Sequence, residues 1–273
     1  MRFYPILCVL LISLAQSVSA HCTDSISKPN RVEIHTGYVA GLPLGDMAGN
    51  INTAHSIGFR GFYLLPSTQG RTGVGIDVTS GSYASFTRTQ NFGMNGVETP
   101  VDVNYRSNLT TYSGIVKYDV FRTNHVTVFA GAKAGAAKFA SEIVIEDPED
   151  ADGCEPLDRK RLITDYTWIA GAQTGVSLDM NIFIKKMYPQ TCFLQAYAGY
   201  VHGGNVDYIN VRSGTTDHQS GTAHTNTSPD GSRPLDVRFV NLQTNTMHTH
   251  EVARVYNSPV QLMECGLMLV VKF

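Results

Sequence analysis

The sequence predicts an all-β fold: a closed antiparallel up-and-down transmembrane β-barrel of about eight strands, with ten as the alternative. Three observations lead there. Side-chain polarity alternates with a period of two along most of the chain, as on strands with two different faces. The alternating segments are about 9–14 residues long, enough to cross a bilayer when tilted. The connections between them alternate between short and long, which sorts tight turns to one barrel end and large loops to the other.

The first twenty residues form a separate object. Arg2 is a small positive head, residues 6–15 (ILCVLLISLA) are a short apolar run, and Val18-Ser19-Ala20 ends it with small residues. This is the pattern of an export signal cleaved after Ala20, leaving residues 21–273 as one barrel domain. Cys22 follows the expected cut, but His21 stands before it where a lipidation signal has a small residue.

The strands are expected at residues 32–42, 56–65, 72–80, 111–122, 126–137, 165–178, 191–203 and 262–273. In the second, Ile57, Phe59, Gly61 and Tyr63 oppose Arg60; in the third, Val74, Ile76 and Val78 flank Asp77. In the fourth, Val116, Tyr118 and Val120 flank Lys117 and Asp119. In the sixth, Tyr166, Trp168, Ala170 and Ala172 oppose Thr167, Gly171 and Gln173. The last is clearest: Met263, Cys265, Leu267, Leu269, Val271 and Phe273 form one wholly apolar face, and Glu264 and Lys272 fall on the other.

Residues 66–71, 123–125 and 179–190 are the shorter connections; 43–55, 81–110, 138–164 and 205–259 are the longer ones. Segments 235–242 and 251–256 inside the last also look strand-like. They are too charged for a lipid-facing wall, so they are expected to extend the barrel above the membrane rather than to add a hairpin to it.

Taking strand parity at face value, Glu33, Asp77, Asp119 and Glu264 face inward against Arg60, Lys117, Lys133 and Lys272, with His35, Gln173 and Gln195 nearby. An eight-stranded barrel is just wide enough for side chains to fill it. Four negative against four positive charges therefore suit a structural ion-paired plug, not an open charge-selective pore.

Composition narrows the partners. Charged residues are 16% of the chain and the net charge is −2, which disfavours nucleic acid. Cys22, Cys154, Cys192 and Cys265 share no metal-site spacing, and their pairing stays open. His248 and His250 lie on one side of an extended segment, and His218 and His224 share its loop, but solvated histidines are expected there and no metal. The acidic run 146–153 reads as a solvated loop tip. Residues 213–232 carry almost no large apolar side chain and are expected to be flexible.

The terminal LMLVVKF resembles the C-terminal signature of bacterial outer-membrane proteins, and VTVFAGAKAGAAKF at 126–139 resembles the central hairpin of small opacity-type and OmpA-membrane-domain-like barrels. The resemblance implies eight strands, both chain ends in the periplasm, and Leu267, Leu269, Val271 and Phe273 as an address for the barrel assembly machinery. The longer loops depart from the compact members of that family, and no appended peptidoglycan-binding domain is expected.

These readings place the protein in the outer membrane, in contact with lipid and lipopolysaccharide. It is expected to be non-enzymatic and without cofactor, with a structural or adhesin-like role toward an extracellular or host ligand through its long loops. A small porin is the alternative, and a lipid-modifying enzyme the more remote one. His202 at the top of the seventh strand is the one candidate base, in a sequence loosely resembling the His-x-Ser-Asn of lipid A deacylases, but Gly204 stands where the nucleophilic serine belongs.

Overall fold

Alternating polarity translates into long strands. The computed structural model describes residues 31–94, 97–146, 158–182, 191–209, 232–241 and 246–273. The expected signal segment, Cys22, Cys154, His218, His224, most of the acidic run and nearly all of 213–232 lie outside the described residues. Nine strands are described: β1 (Val32–Pro43), β2 (Ala54–Leu64), β3 (Thr72–Met94), β4 (Val97–Arg122), β5 (Val126–Glu146), β6 (Asp158–Asp179), β7 (Cys192–Ile209), β8 (Arg233–Asn241) and β9 (Thr246–Lys272).

Each strand from β1 to β7 pairs antiparallel with the next, β7 pairs with β9, and β9 returns to β1, so eight strands close into a ring. Closure removes the exposed sheet edges that an open sheet would leave. Among the described residues β8 pairs only with β9, over Arg233 to Asn241, and continues the sheet beyond the point where β7 ends. The choice between eight and ten strands thus falls to eight, with β8 as an extension outside the ring.

The expected long connections require correction. β3 runs on to Met94 and β4 begins at Val97, so most of 81–110 is strand; β5 and β6 likewise extend to Glu146 and from Asp158. The extension of β3 shows no clear alternation in sequence, whereas that of β4 does, with Val101, Val103 and Tyr105 against Asp102, Asn104 and Arg106. Backbone pairing continues from Ser82 against Asn108 to Met94 against Val97. The short turns are built from local chemistry. Between β2 and β3, Pro66–Thr68 form a 3-10 turn that ends with Gln69 and Gly70 at φ 54° and 73°, and Thr68 Oγ1 accepts the Thr72 N–H at 3.0 Å. Between β4 and β5, Thr123 Oγ1 accepts the Val126 N–H at 3.0 Å.

Candidate functional site: the barrel interior and its wall

The structure places Glu33, Arg60, Asp77, Lys117, Asp119, Lys133, Glu264 and Lys272 inside the ring, all buried. They meet as two clusters. In the first, Arg60 Nε donates to Asp77 Oδ1 at 3.0 Å, and Lys133 Nζ donates to Asp77 Oδ2 at 3.1 Å and to Glu264 Oε2 at 2.7 Å. In the second, Glu33 receives Lys117 Nζ, and Lys272 Nζ at 2.8 Å, while His35 Nε2 lies 3.2 Å from its Oε2. Asp119 Oδ1 lies 3.8 Å from Lys117 Nζ. Each cluster holds two carboxylates and two cations and so sums to zero with His35 neutral. Ions out of water cost several kcal/mol each unless paired, and here the charges balance within each layer. Among the described residues, however, the Asp119 carboxylate accepts no hydrogen bond and Arg60 leaves both terminal nitrogens without a hydrogen-bond partner.

Aromatic rings and small residues make room for the charges. The Arg60 guanidinium stacks on the Tyr197 ring at 4.1 Å, and Lys272 Nζ lies 4.5 Å from the centre of Phe193. Tyr197 is directly opposite Gly266 in register, and a Cβ there would come within 2.1 Å of Tyr197 Cε1. Glu264 stands opposite Gly41 on one side and Gly199 on the other. Gln173 and Gln195 are also buried inside, and Gln195 Oε1 accepts from Ser177 Oγ at 3.1 Å. Tyr197 was not singled out from the sequence. Its place on the Gln195 face of β7 marks it, although an aromatic residue there is indistinguishable from ordinary filling.

Toward the long-strand end the interior turns apolar. Met47, Ile51, Phe139, Val206, Tyr208 and Val260 form the middle of a buried cluster, each with no solvent exposure. Phe139 packs between Tyr83 at 5.8 Å and Tyr208 at 6.4 Å. Met47 sits on a 3-10 turn, Gly45–Gly49, in the connection between β1 and β2. Asn50 Nδ2 holds this connection to the far wall by donating to Tyr208 OH at 3.1 Å, and that hydroxyl lies 3.0 Å from Ser258 Oγ. The lumen is therefore filled twice over, by ions and then by hydrocarbon. The upper layer was not expected, because Met47 and Ile51 lie in a connection with no strand pattern.

The outer wall reverses the usual order. Ile76, Trp168 and Leu267 are 59%, 57% and 52% exposed, whereas Arg60 and Asp77 are 0% exposed. Ile57, Phe59, Tyr63, Val74, Tyr112, Val116 and Tyr118 are exposed with them. A water-soluble protein buries the first kind of residue and exposes the second. Only hydrocarbon outside satisfies both faces. The chain folds as a membrane-spanning β-barrel.

Comparison of the barrel with known proteins finds distant likenesses among solved structures. No protein-family model matches it, and no curated protein sequence does. Among solved structures it is similar to Neisserial surface protein A, with 12% identity and a TM-score of 0.41 over 91% of this chain and 100% of that one. It is also similar to Ail, the attachment invasion locus protein of Yersinia pestis, with 8% identity and a TM-score of 0.39 over 90% and 100% of the two chains. The outer membrane protease OmpT from Escherichia coli is matched at 9% identity and a TM-score of 0.33 over 92% and 100%.

The remaining candidates fall on the barrel as follows. Leu267, Leu269, Val271 and Phe273 line the outer face of β9, with Phe273 52% exposed at its end. His202 is exposed on the outer wall, edge-on to Trp168 at 5.9 Å, and among the described residues its side chain makes no hydrogen bond or ion pair. Cys192 and Cys265 are free thiols on β7 and β9, opposite Val271 and Ala198 respectively. No group of three or more metal-ligating side chains occurs among the described residues.

Proposed function

We propose that this protein is a non-enzymatic outer-membrane β-barrel with a closed lumen, a structural or surface-interaction protein whose extended strands and connections at the long-loop end meet the environment. The observation that carries the reading is the filled interior: two electroneutral ion clusters beneath a hydrocarbon plug. A solute channel needs a continuous water path, and a charge-selective one needs uncompensated charge. The position of His202 on the outer wall, edge-on to Trp168, fits a place in the wall for this residue. In this role the wall contacts outer-membrane lipid and lipopolysaccharide, the outward residues of β9 address the barrel assembly machinery, and the long-loop end receives an extracellular or host ligand.

The test joins three measurements on the full chain. Unheated protein should migrate faster than boiled protein in detergent gels, protease added to whole cells should cut at the long-loop end, and planar bilayers should record no large stable conductance. A large, stable conductance would establish the porin alternative.

A further inference from the structure

Three arginines stand at inward positions where the lumen meets water at the short-turn end. Arg31 directly precedes β1, and its carbonyl accepts the N–H of buried Leu64 at 2.7 Å. Arg71 directly precedes Thr72 of β3, and its carbonyl accepts the N–H of buried Asp119 at 2.8 Å. Arg122 ends β4 opposite buried Thr127. Their partners in register face the interior, so the arginines do too. Yet all three are exposed, whereas Glu33, Gly73 and Asp119, the next inward positions on the same strands, are buried. The arginines therefore mark the mouth of the barrel.

The slope of the register brings them to one height. Followed from strand to strand, the pairing that leaves Glu33 at Phe62 returns to β1 at Pro43, ten residues up the same strand. Staying at one height around the ring therefore means slipping toward the short-turn end by slightly more than one residue per strand. Arg31 is in line with Gly73 on β3 and Lys117 on β4. Arg71 is two residues from Gly73 in that direction. Arg122 is five from Lys117, with one residue absorbed by the bulge between Asp119 and Phe121. Neighbouring strands are about 4.8 Å apart, so long side chains turned inward from β1, β3 and β4 converge on the mouth.

None of the three side chains makes an ion pair or hydrogen bond among the described residues. Beneath them lies the cluster of Glu33, Lys117, Asp119 and Lys272, whose charges cancel. Across the mouth Asp179 is 1% exposed and accepts the Asn181 N–H at 2.9 Å. The charge that water meets is thus positive, over a floor of paired ions. We propose that Arg31, Arg71 and Arg122 form a blind-ended binding site at the short-turn mouth for a phosphate group, free or carried as a monoester. A guanidinium offers two parallel N–H donors to an oxyanion. Three of them, arriving from different strands, are matched by the several oxygens of a tetrahedral phosphate, whereas a planar carboxylate has only two. The inference rests on the closed-barrel reading above and adds a ligand to it.

The test uses the full chain folded in neutral detergent micelles and titrated by calorimetry, at fixed ionic strength, with inorganic phosphate, glycerol phosphate, acetate or chloride. Phosphate or glycerol phosphate should bind once per chain, and acetate and chloride far more weakly. Affinity should fall about fivefold for each arginine replaced by glutamine, the equivalent of about 1 kcal/mol for an exposed charged pair. Arg31→Gln/Arg71→Gln/Arg122→Gln should show no measurable binding, while Arg106→Gln/Arg161→Gln at the other end should bind as the natural protein does. Equal binding of the two phosphates means that the group alone is read, and tighter binding of the monoester means that it arrives on a carrier; both support the site. Unchanged affinity in the triple variant overturns the proposal, and so does acetate binding as tightly as phosphate. A folded, heat-modifiable barrel that binds no phosphate sinks this inference alone. Failure to form any heat-modifiable barrel sinks the closed-barrel reading with it.

Discussion

Arg60 and Asp77 stand directly opposite one another on β2 and β3, and Arg60 Nε donates to Asp77 Oδ1 at 3.0 Å with neither side chain reached by solvent. The pair sits at the join of two interactions, since Asp77 also takes Lys133 and Arg60 also stacks on Tyr197. Removing one partner leaves an uncompensated buried charge, which costs about 3–5 kcal/mol. Arg60→Leu should therefore destabilise the folded barrel by about that amount, read by urea unfolding in lipid vesicles. Adding Asp77→Leu should recover part of the loss, because the orphaned carboxylate is gone and Lys133 keeps Glu264. A double variant less stable than the single one would show that the pair is not the unit of stability.

Gly266 is the seat of the Tyr197 ring. Gly266→Val should push that ring off the β9 backbone and loosen the Arg60 stack, with a cost of about 1–3 kcal/mol from overpacking. Shortening the ring should relieve it: Gly266→Val combined with Tyr197→Ala is expected to cost less than the sum of the two single changes. Strict additivity in a double-mutant cycle would contradict the contact.

The two fillings of the lumen act in series. Substituting Phe139→Ala and Tyr208→Ala should lower stability by several kcal/mol, in the usual range of about 3–5 kcal/mol for each large aromatic removed. Bilayer recordings should still show no stable conductance, because the ion clusters remain beneath. A stable open channel in that variant would place the whole barrier in the apolar layer.

Trp168 is the only tryptophan in the chain, and it is 57% exposed on the outer wall. Its emission should be that of an indole in an apolar setting and should be quenched by lipids brominated on their acyl chains, but only weakly by aqueous iodide. Strong iodide quenching with no effect of brominated lipid would remove Trp168 from the membrane-facing wall.

Cys265 lies on the outward face of β9 between exposed Met263 and Leu267. In vesicles it should react with an apolar maleimide and not with a charged one, whereas both reagents should label the unfolded chain. Rapid labelling by the charged reagent in folded protein would reverse the parity of β9.

Much was legible along the chain because a strand shows its two faces at every second residue. Asp77 between Ile76 and Val78, and Lys117 between Val116 and Tyr118, reveal which side turns inward without knowledge of any neighbour. Strand number, the inward set and the outward face of β9 all follow from that local rule. The rule fails where polarity does not alternate clearly, so the continuation of β3 to Met94 was invisible, and it fails in connections, so Met47 and Ile51 gave no sign of entering the barrel.

Which charges meet belongs to the closed ring alone. Lys117 reaches Glu33 across 84 residues of chain, and Lys133 reaches Glu264 across 131. No local pattern encodes such partners: they are chosen by strand register and by how far a side chain projects across the barrel axis. Face and reach are properties of a single strand, whereas pairing and closure depend on all eight.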